Sequence, residues 1–399
     1  MKYVTLDYFF KIFDKMHAVR RTLEYFEHCY SVIARYAVPQ LLESLALIPV
    51  ARKFNLVRLR KHVLLYWSPG WLKSTLLQHF ASFVQGIVRV NIEAAFSEAV
   101  VRGSAVRDMF IPPLAVQDLV VIPELNISGI NDEIMQVFLS ALENDIITVR
   151  LVKLGEVIAE MDDEQREELR REGIIIIPPN GIQYIPRMTV WAATHTLETI
   201  KLELKEAILS RFTIVSIPRE VLKRHLLDIF DGMLRRDSEY EAELSAELAR
   251  VLNSWNLTDD DIKTLHSWVK EYVQGLIEEG KYVTPRDVNE LLKTAIATSV
   301  LLGSSPAPRP LIEEALDNVT RYLIRDSLEE QAERILRERG EVTRTELAEA
   351  LGISLSKAYK VLRAIGAEKR KDPVIVGYEE LPDGRKVPKI KHVWKWYLP

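Results

Sequence analysis

Residues Val63-Leu64-Leu65-Tyr66 form a short apolar run, and the chain then passes through Trp67-Ser68-Pro69-Gly70-Trp71-Leu72 into Lys73-Ser74-Thr75. A run of this kind is expected of a strand buried on both faces of a parallel sheet, and the Pro-Gly pair turns the chain where the strand ends. Lys73 and Ser74 stand as the last two residues do in the phosphate-binding pattern G-x-x-x-x-G-K-[ST]. There, backbone N–H groups cradle phosphates, the Lys reaches the β/γ-phosphates and the hydroxyl holds Mg²⁺. Trp67 and Leu72 occupy the two glycine places, so bulk is expected where backbone approaches phosphate.

Four further runs have the same character: Ile87 to Val90, Leu119 to Ile122, Thr189 to Ala193 and Thr213 to Ile217, separated by helix-like stretches. The five together predict an α/β domain with a parallel sheet. Ligands of such sheets sit outside the carboxyl ends of the strands, which places Trp67 to Thr75, Pro123-Glu124 and Thr194-His195 on one rim. The first 55 residues read as helices, with apolar positions at three-to-four spacing through Tyr8, Phe9, Ile12, Phe13 and Met16 and again from Leu23 to Leu47. From Glu220 to Arg325 strand signals vanish and amphipathic helices follow one another, which predicts a helical lid.

The last segment, 327–399, has its own pattern. A helix runs to Arg339 before Gly340, a second is capped by Thr343 with Glu346 at capping-box spacing, and after Gly352 a third runs from Leu355 to Ile365 behind Ser354. Val374 to Tyr378 and Lys386 to Trp396 read as strands joined through Pro382-Asp383-Gly384. Three helices followed by a hairpin predict a winged helix-turn-helix, with Trp394 and Trp396 as packing residues of the wing. From Ser354 onward eleven Lys/Arg face five Asp/Glu, although the whole chain has a formal charge of −4. This local excess points to a polyanion contact rather than a wholly basic coat. Lys357, Lys360 and Arg363 on the third helix and Arg385, Lys386 and Lys389 on the wing are the candidate DNA contacts.

With 48% hydrophobic and 28% charged residues the chain has the composition of a folded soluble protein. Cys29 is the only cysteine, which rules out a disulfide framework or a Cys-based zinc site within one chain. Asp7, Lys11, Asp14 and Lys15 interrupt any signal-peptide core, and no apolar stretch is long enough to predict a membrane span. These features predict a cytoplasmic protein.

Taken in order, the segments resemble AAA+ ATPases, and their wording is similar to the minichromosome maintenance (MCM) replicative helicases. Residues Trp67 to Ser74 resemble that family's G-D-P-G-T-A-K-S loop. Asp118 to Glu124 resembles the strand that ends in a metal-holding Asp, here Pro123, and a water-activating Glu, here Glu124. Val190 to Thr196 is similar to V-x-A-A-x-N-P, with His195 at the Asn. Leu209-Ser210-Arg211-Phe212 matches L-S-R-F, and Thr284 to Leu291 resembles T-x-R-x-L-E-x-L with Arg286 at its Arg. The resemblance covers about Val63 to Leu302.

It implies an AAA+ core over 56–219, a lid over 220–326 and a C-terminal winged helix. It further implies ATP and Mg²⁺ as cofactors, a ring-shaped homo-oligomer with a hexamer as the candidate size, duplex DNA as partner, and association with replication proteins. Pro69, Gly70, Lys73, Ser74, Thr75, His195 and Arg286 would hold nucleotide, Ser74 would also hold Mg²⁺, and Glu124 and Arg211 would be catalytic, Arg211 on a neighbouring subunit's nucleotide. The insertion at about 146–187 takes the place of the family's pre-sensor-1 hairpin, with Ile146 to Leu154 and Ile174 to Ile185 as its strands. Arg150 and Lys153 are its candidate DNA contacts, since Glu160 to Glu172 carries seven acidic residues against three Arg. The family's N-terminal zinc module has no counterpart. Changes at Trp67, Leu72 and Pro123 strike one site, so hydrolysis is expected to be reduced. The alternative is a non-catalytic DNA-binding or scaffold protein, or a mobile-element replication initiator, on a decayed AAA+ fold.

Overall fold

A computed structural model describes residues 17–93, 113–126, 132–143, 146–150, 152–195, 207–208, 210–232, 235–281, 283–323, 328–351, 353–380 and 386–398. Tyr8 to Met16, Thr196, Leu209, Gly352, the Pro382-Asp383-Gly384 turn and Arg385 lie outside the described residues. The chain divides into two compact units, Met1–Tyr272 with Pro285–Tyr322, and Val273–Thr284 with Leu323–Pro399.

The first unit holds β1 (His62–Tyr66), β2 (Val90–Ile92), β3 (Leu119–Ile122), β4 (Ile147–Arg150), β5 (Ile174–Ile177), β6 (Gly181–Tyr184), β7 (Thr189–Thr194) and β8 (Phe212–Val215). Five of them make one sheet in the order β2-β3-β7-β1-β8, every pairing parallel, as the apolar runs require. Alternate residues face opposite layers. Leu64, Val120, Ile122, Val190 and Ala192 join Met135, Phe138 and Leu139 of the helix Asp132–Glu143 in one core. On the other face the fully buried Trp191 donates its indole N–H to Ser44 Oγ at 2.8 Å and lies 5.5 Å from the Phe80 ring.

Ser44 belongs to the helix Val32–Phe54, which is buried along most of its length and packs on β1, β7 and β8. Its Glu43 carboxylate pairs with Lys61 in the interior. The N-terminal helices thus build the same layer as the helix Lys73–Val84. The later helix Ser238–Ser254 packs beside them, not over the rim. Glu241 accepts the Tyr25 hydroxyl at 2.5 Å and bonds His79 Nε2 at 2.7 Å, and Ser245 donates to the Phe83 carbonyl at 2.7 Å.

Two sequence expectations change. β2 begins at Val90, because Ile87 closes the turn that leaves the preceding helix by donating to the Val84 carbonyl at 2.9 Å. The insertion is not a two-stranded hairpin. Asp162 and Gln165 form a reciprocal capping box that starts the helix Asp163–Arg171, and the helix Val152–Glu160 precedes it. Residues 178–180 turn β5 back onto β6, giving a three-stranded antiparallel sheet, β4-β6-β5. Lys153 therefore lies in a helix instead of an ascending strand, while Arg150 ends β4 on the exposed side.

In the second unit the helix Leu328–Arg339 stops at Gly340, whose φ of 75° is left-handed. Thr343 and Glu346 make the expected capping box, with bonds of 2.7 and 3.1 Å, and Ser354 caps the helix Leu355–Ala364 by accepting the Lys357 N–H. The strands β9 (Val342–Thr343), β10 (Glu368–Glu380) and β11 (Lys386–Tyr397) form an antiparallel sheet in the order β10-β11-β9. Leu336, Leu347, Leu362 and Trp396 share its core. No helix among the described residues is long and apolar enough to cross a membrane.

Candidate functional site

Because β1, β3 and β7 run parallel side by side, their carboxyl ends share one edge of the sheet. There a cavity of about 340 Å³ is lined by Pro69, Gly70, Trp71, Leu72, Lys73, Ser74, Thr75, Pro123, Glu124, Ala193, Thr194 and His195. Seven residues expected from sequence to bind nucleotide or to catalyse thus meet in one place: Pro69, Gly70, Lys73, Ser74, Thr75, Glu124 and His195.

The loop between β1 and the helix Lys73–Val84 folds around its own lysine. The buried Lys73 ammonium donates to the Trp67 carbonyl at 2.8 Å and the Ser68 carbonyl at 2.9 Å. Burial pushes its pKa down to about 8. The Ser74 hydroxyl donates to the Pro123 carbonyl at 2.7 Å and ties the helix start to the end of β3. Pro123 brings no side chain that could hold a metal, yet its carbonyl supplies an acceptor at that strand end. Thr194 donates to the Leu125 carbonyl at 2.8 Å, and the Leu125 N–H donates back to the Ala193 carbonyl at 2.7 Å, which joins the β3 and β7 ends of the rim.

Trp67 does not crowd the cavity as its place in the motif suggests. It is 4% exposed, donates its indole N–H to the Trp71 carbonyl at 2.8 Å and is not among the lining residues. The indole braces the loop from within. This cross-loop bond and the Trp71 contribution to the lining were not legible in sequence, because nothing in a loop of six residues says which side chain turns inward. Gly70 has φ +78°, and a Cβ placed there meets nothing within 4 Å, so its need is for the backbone conformation.

Leu72 caps the helix in the left-handed region at φ 54°, with no side-chain capping bond. For a non-glycine residue that conformation costs about 1–2 kcal/mol. The loop holds the geometry a glycine would adopt freely, which preserves the open first-turn N–H groups of the helix. Leu72→Gly is expected to raise unfolding free energy by about 0.5–1 kcal/mol in urea titrations, the strain relief being offset in part by glycine's entropy. A loss of more than 1 kcal/mol would show that the leucine side chain, not the loop, sets this backbone.

The oxygen donors at the rim fit a magnesium ion carried by phosphates better than a protein-bound metal. Among the described residues no group of three His, Cys, Asp or Glu is placed to hold a metal. The Ser74 hydroxyl and Glu124 carboxylate are hard ligands of the kind that complete a shell of phosphate oxygens and water.

Two expected site residues lie elsewhere. Arg286 donates to the carbonyl of Phe212 at 3.4 Å, and Arg211 immediately precedes that residue. Phe212 opens β8 opposite His62, the first residue of β1, so both arginines stand at the sheet edge away from the cavity, roughly 13 Å along the strands. Arg286 therefore does not join Lys73 in one site of this chain. Arg211 pairs with Glu143 at 2.7 Å and donates to the Leu139 and Ala207 carbonyls at 3.2 and 2.7 Å. In the second unit Lys357, Lys360 and Arg363 are exposed along one helix, and Lys386 and Lys389 lie on β11.

No family model matches the chain, and no curated protein matches it. Among solved structures it is similar to the crystal structure of a "putative ATPase" from Cytophaga hutchinsonii, with 13% identity and a TM-score of 0.40, covering 88% of this chain and 96% of that one.

Proposed function

We propose that this chain is an MCM-like AAA+ protein that binds ATP with Mg²⁺ at the β1 loop and holds duplex DNA through a C-terminal winged helix. One observation carries the nucleotide reading: a buried lysine ammonium, a helix-start hydroxyl and a carboxylate line one cavity at the carboxyl edge of a parallel sheet. A desolvated cation held by two loop carbonyls and the face of the Trp67 ring, 5.6 Å from its centre, with no carboxylate bonded to it among the described residues, gains most from an anionic partner.

On this reading Lys73 leaves the Trp67 and Ser68 carbonyls to meet the β/γ-phosphates, while the N–H groups from Gly70 to Ser74 turn toward the phosphate oxygens. Ser74, which donates to the Pro123 carbonyl, would hold the ion through its hydroxyl oxygen. Bound Mg²⁺ would neutralise charge on the phosphates. Glu124, exposed at the rim, orients the attacking water, with Thr75 and His195 beside the terminal phosphate. Arg211 would act on the nucleotide of a neighbouring copy in a ring, for which Glu143 must release it; its position at the sheet edge away from this chain's own cavity supports that reading, and Arg286 at the same edge would bind nucleotide only from there. DNA contacts come from Lys357, Lys360 and Arg363, with Lys386 and Lys389 on the wing strand and Arg150 and Lys153 in the insertion. The setting is cytoplasmic, in company with replication proteins.

The second reading is a scaffold or initiator that binds DNA without turnover, and the proline in place of the metal-holding Asp favours it. Steady-state hydrolysis with and without DNA separates the two. Glu124→Gln is expected to lower turnover at least 100-fold while ATP still binds, the size expected of a lost general base. Absence of turnover in the parent protein would put the non-catalytic reading first.

A further inference from the structure

The two hairpin tryptophans share one face of β11, since residues two apart point the same way. They differ in cover: Trp396 is 4% exposed in the core of the second unit, whereas Trp394 is 49% exposed. Trp394 is therefore not the packing residue expected from sequence. Half of this indole faces water, and what surrounds it decides what it can meet there.

Lys371 stands directly opposite Trp394 in the antiparallel register, and Lys369 opposite Trp396. The Lys369 ammonium lies 4.7 Å from the Trp394 ring centre and 5.9 Å from that of Trp396. Tyr359, exposed on the helix Leu355–Ala364, meets the Trp396 ring edge-on at 5.7 Å. Tyr359, Trp396, Lys369 and Trp394 thus run in contact from the helix bearing Lys357, Lys360 and Arg363 onto the hairpin.

The opposite hairpin face has a different charge. Arg370 pairs with Glu341 at 2.6 Å and with Asp372 at 3.1 Å, and Lys395 also pairs with Glu341 and Asp372. The Tyr397 hydroxyl donates to Glu368 at 2.9 Å. Cations are neutralised on that side, while on the Trp394 side no acidic partner of Lys369 or Lys371 occurs among the described residues. A cationic face around an exposed aromatic ring is complementary to a polyanion that has flat apolar surfaces to offer. Within a duplex every base is already stacked, so the ring finds its partner on an unpaired strand.

We propose that the Trp394 face of the β10–β11 hairpin binds an unpaired stretch of DNA, with Trp394 stacked on a base and Lys369 and Lys371 on the adjoining phosphates. This rests on reading the second unit as DNA-binding, and makes that unit a reader of single-strand/duplex junctions.

The test uses the full chain and fluorescence anisotropy with two labelled probes of one duplex sequence, one blunt and one carrying an unpaired tail. The parent is expected to bind the tailed probe about tenfold more tightly, the gain typical of one stacked base. Trp394→Ala removes that preference and leaves blunt-duplex affinity within about twofold, and Trp394→Phe restores most of it. Because Trp394 is half exposed, an unchanged melting temperature is expected and checks the fold. Equal affinity of the parent for both probes, or equal weakening of both by Trp394→Ala, overturns the stacking site while DNA binding itself stands. If neither probe binds, the DNA reading of the second unit fails together with the proposal.

Discussion

Lys73→Ala is expected to lower ATP affinity about 100-fold at pH 7, as measured by a fluorescent nucleotide analogue, because a buried charge-assisted contact to phosphate is worth about 2–3 kcal/mol. The same lysine sets a pH dependence. Its native pKa of about 8 lies below the roughly 10.4 of an unfolded lysine. Between those values the unfolded chain binds more protons, so stability of the nucleotide-free protein rises with pH across that window. Binding runs the other way: phosphates favour the ammonium, so affinity is full below pH 8 and falls as pH climbs through it. Parent affinity is thus expected to drop by about fivefold from pH 8 to 9, and that of Lys73→Ala to stay flat. Flat profiles for both would remove Lys73 from the phosphate contact.

The second large effect is on stability. Trp191→Ala is expected to cost about 3–5 kcal/mol, since the ring fills the space between the sheet, Phe80 and the helix Val32–Phe54 and leaves a cavity when removed. The change also takes the donor from Ser44, whose own hydroxyl still donates to the Lys61 carbonyl. Trp191→Phe keeps most of the volume and should cost about 1–2 kcal/mol less than the alanine change. Denaturant midpoints measure both. A loss below 1 kcal/mol for Trp191→Ala would mean the N-terminal helices do not share the sheet's core.

The parts of the fold that were legible are those where one physical demand dominates. β1, β3 and β7 are central strands buried on both faces, and their unbroken apolar runs say so. β2 sits at an edge, only half buried, and the apolar Ile87 and Val88 beside it belong to a helix exit. In the insertion, Ile174 to Ile177 reads correctly as a strand, but the acidic stretch before it is a helix rather than a charged loop. The capping box at Asp162 and Gln165 already marked a helix start there.

At the site, residue types and spacing located the cavity but not the direction of side chains. Trp67 looks like an obstruction in sequence and is a brace in the structure, because the interior had room for the indole and Trp71 offered a carbonyl. Arg286 fits a motif by spacing, yet only tertiary packing decides at which sheet edge it emerges. Trp394 and Trp396 are equivalent by period. Their distance from the three-helix core separates them, and no local pattern records that distance.

Nucleotide binding by this chain requires the β1 loop to be a working phosphate cradle despite Trp67 and Leu72. Calorimetric titration of the parent protein with ATP and Mg²⁺ at pH 7 tests this most directly. It should give one saturable site per chain, with a dissociation constant on the order of micromolar, equivalent to about 8 kcal/mol. No saturable heat at millimolar nucleotide would contradict it.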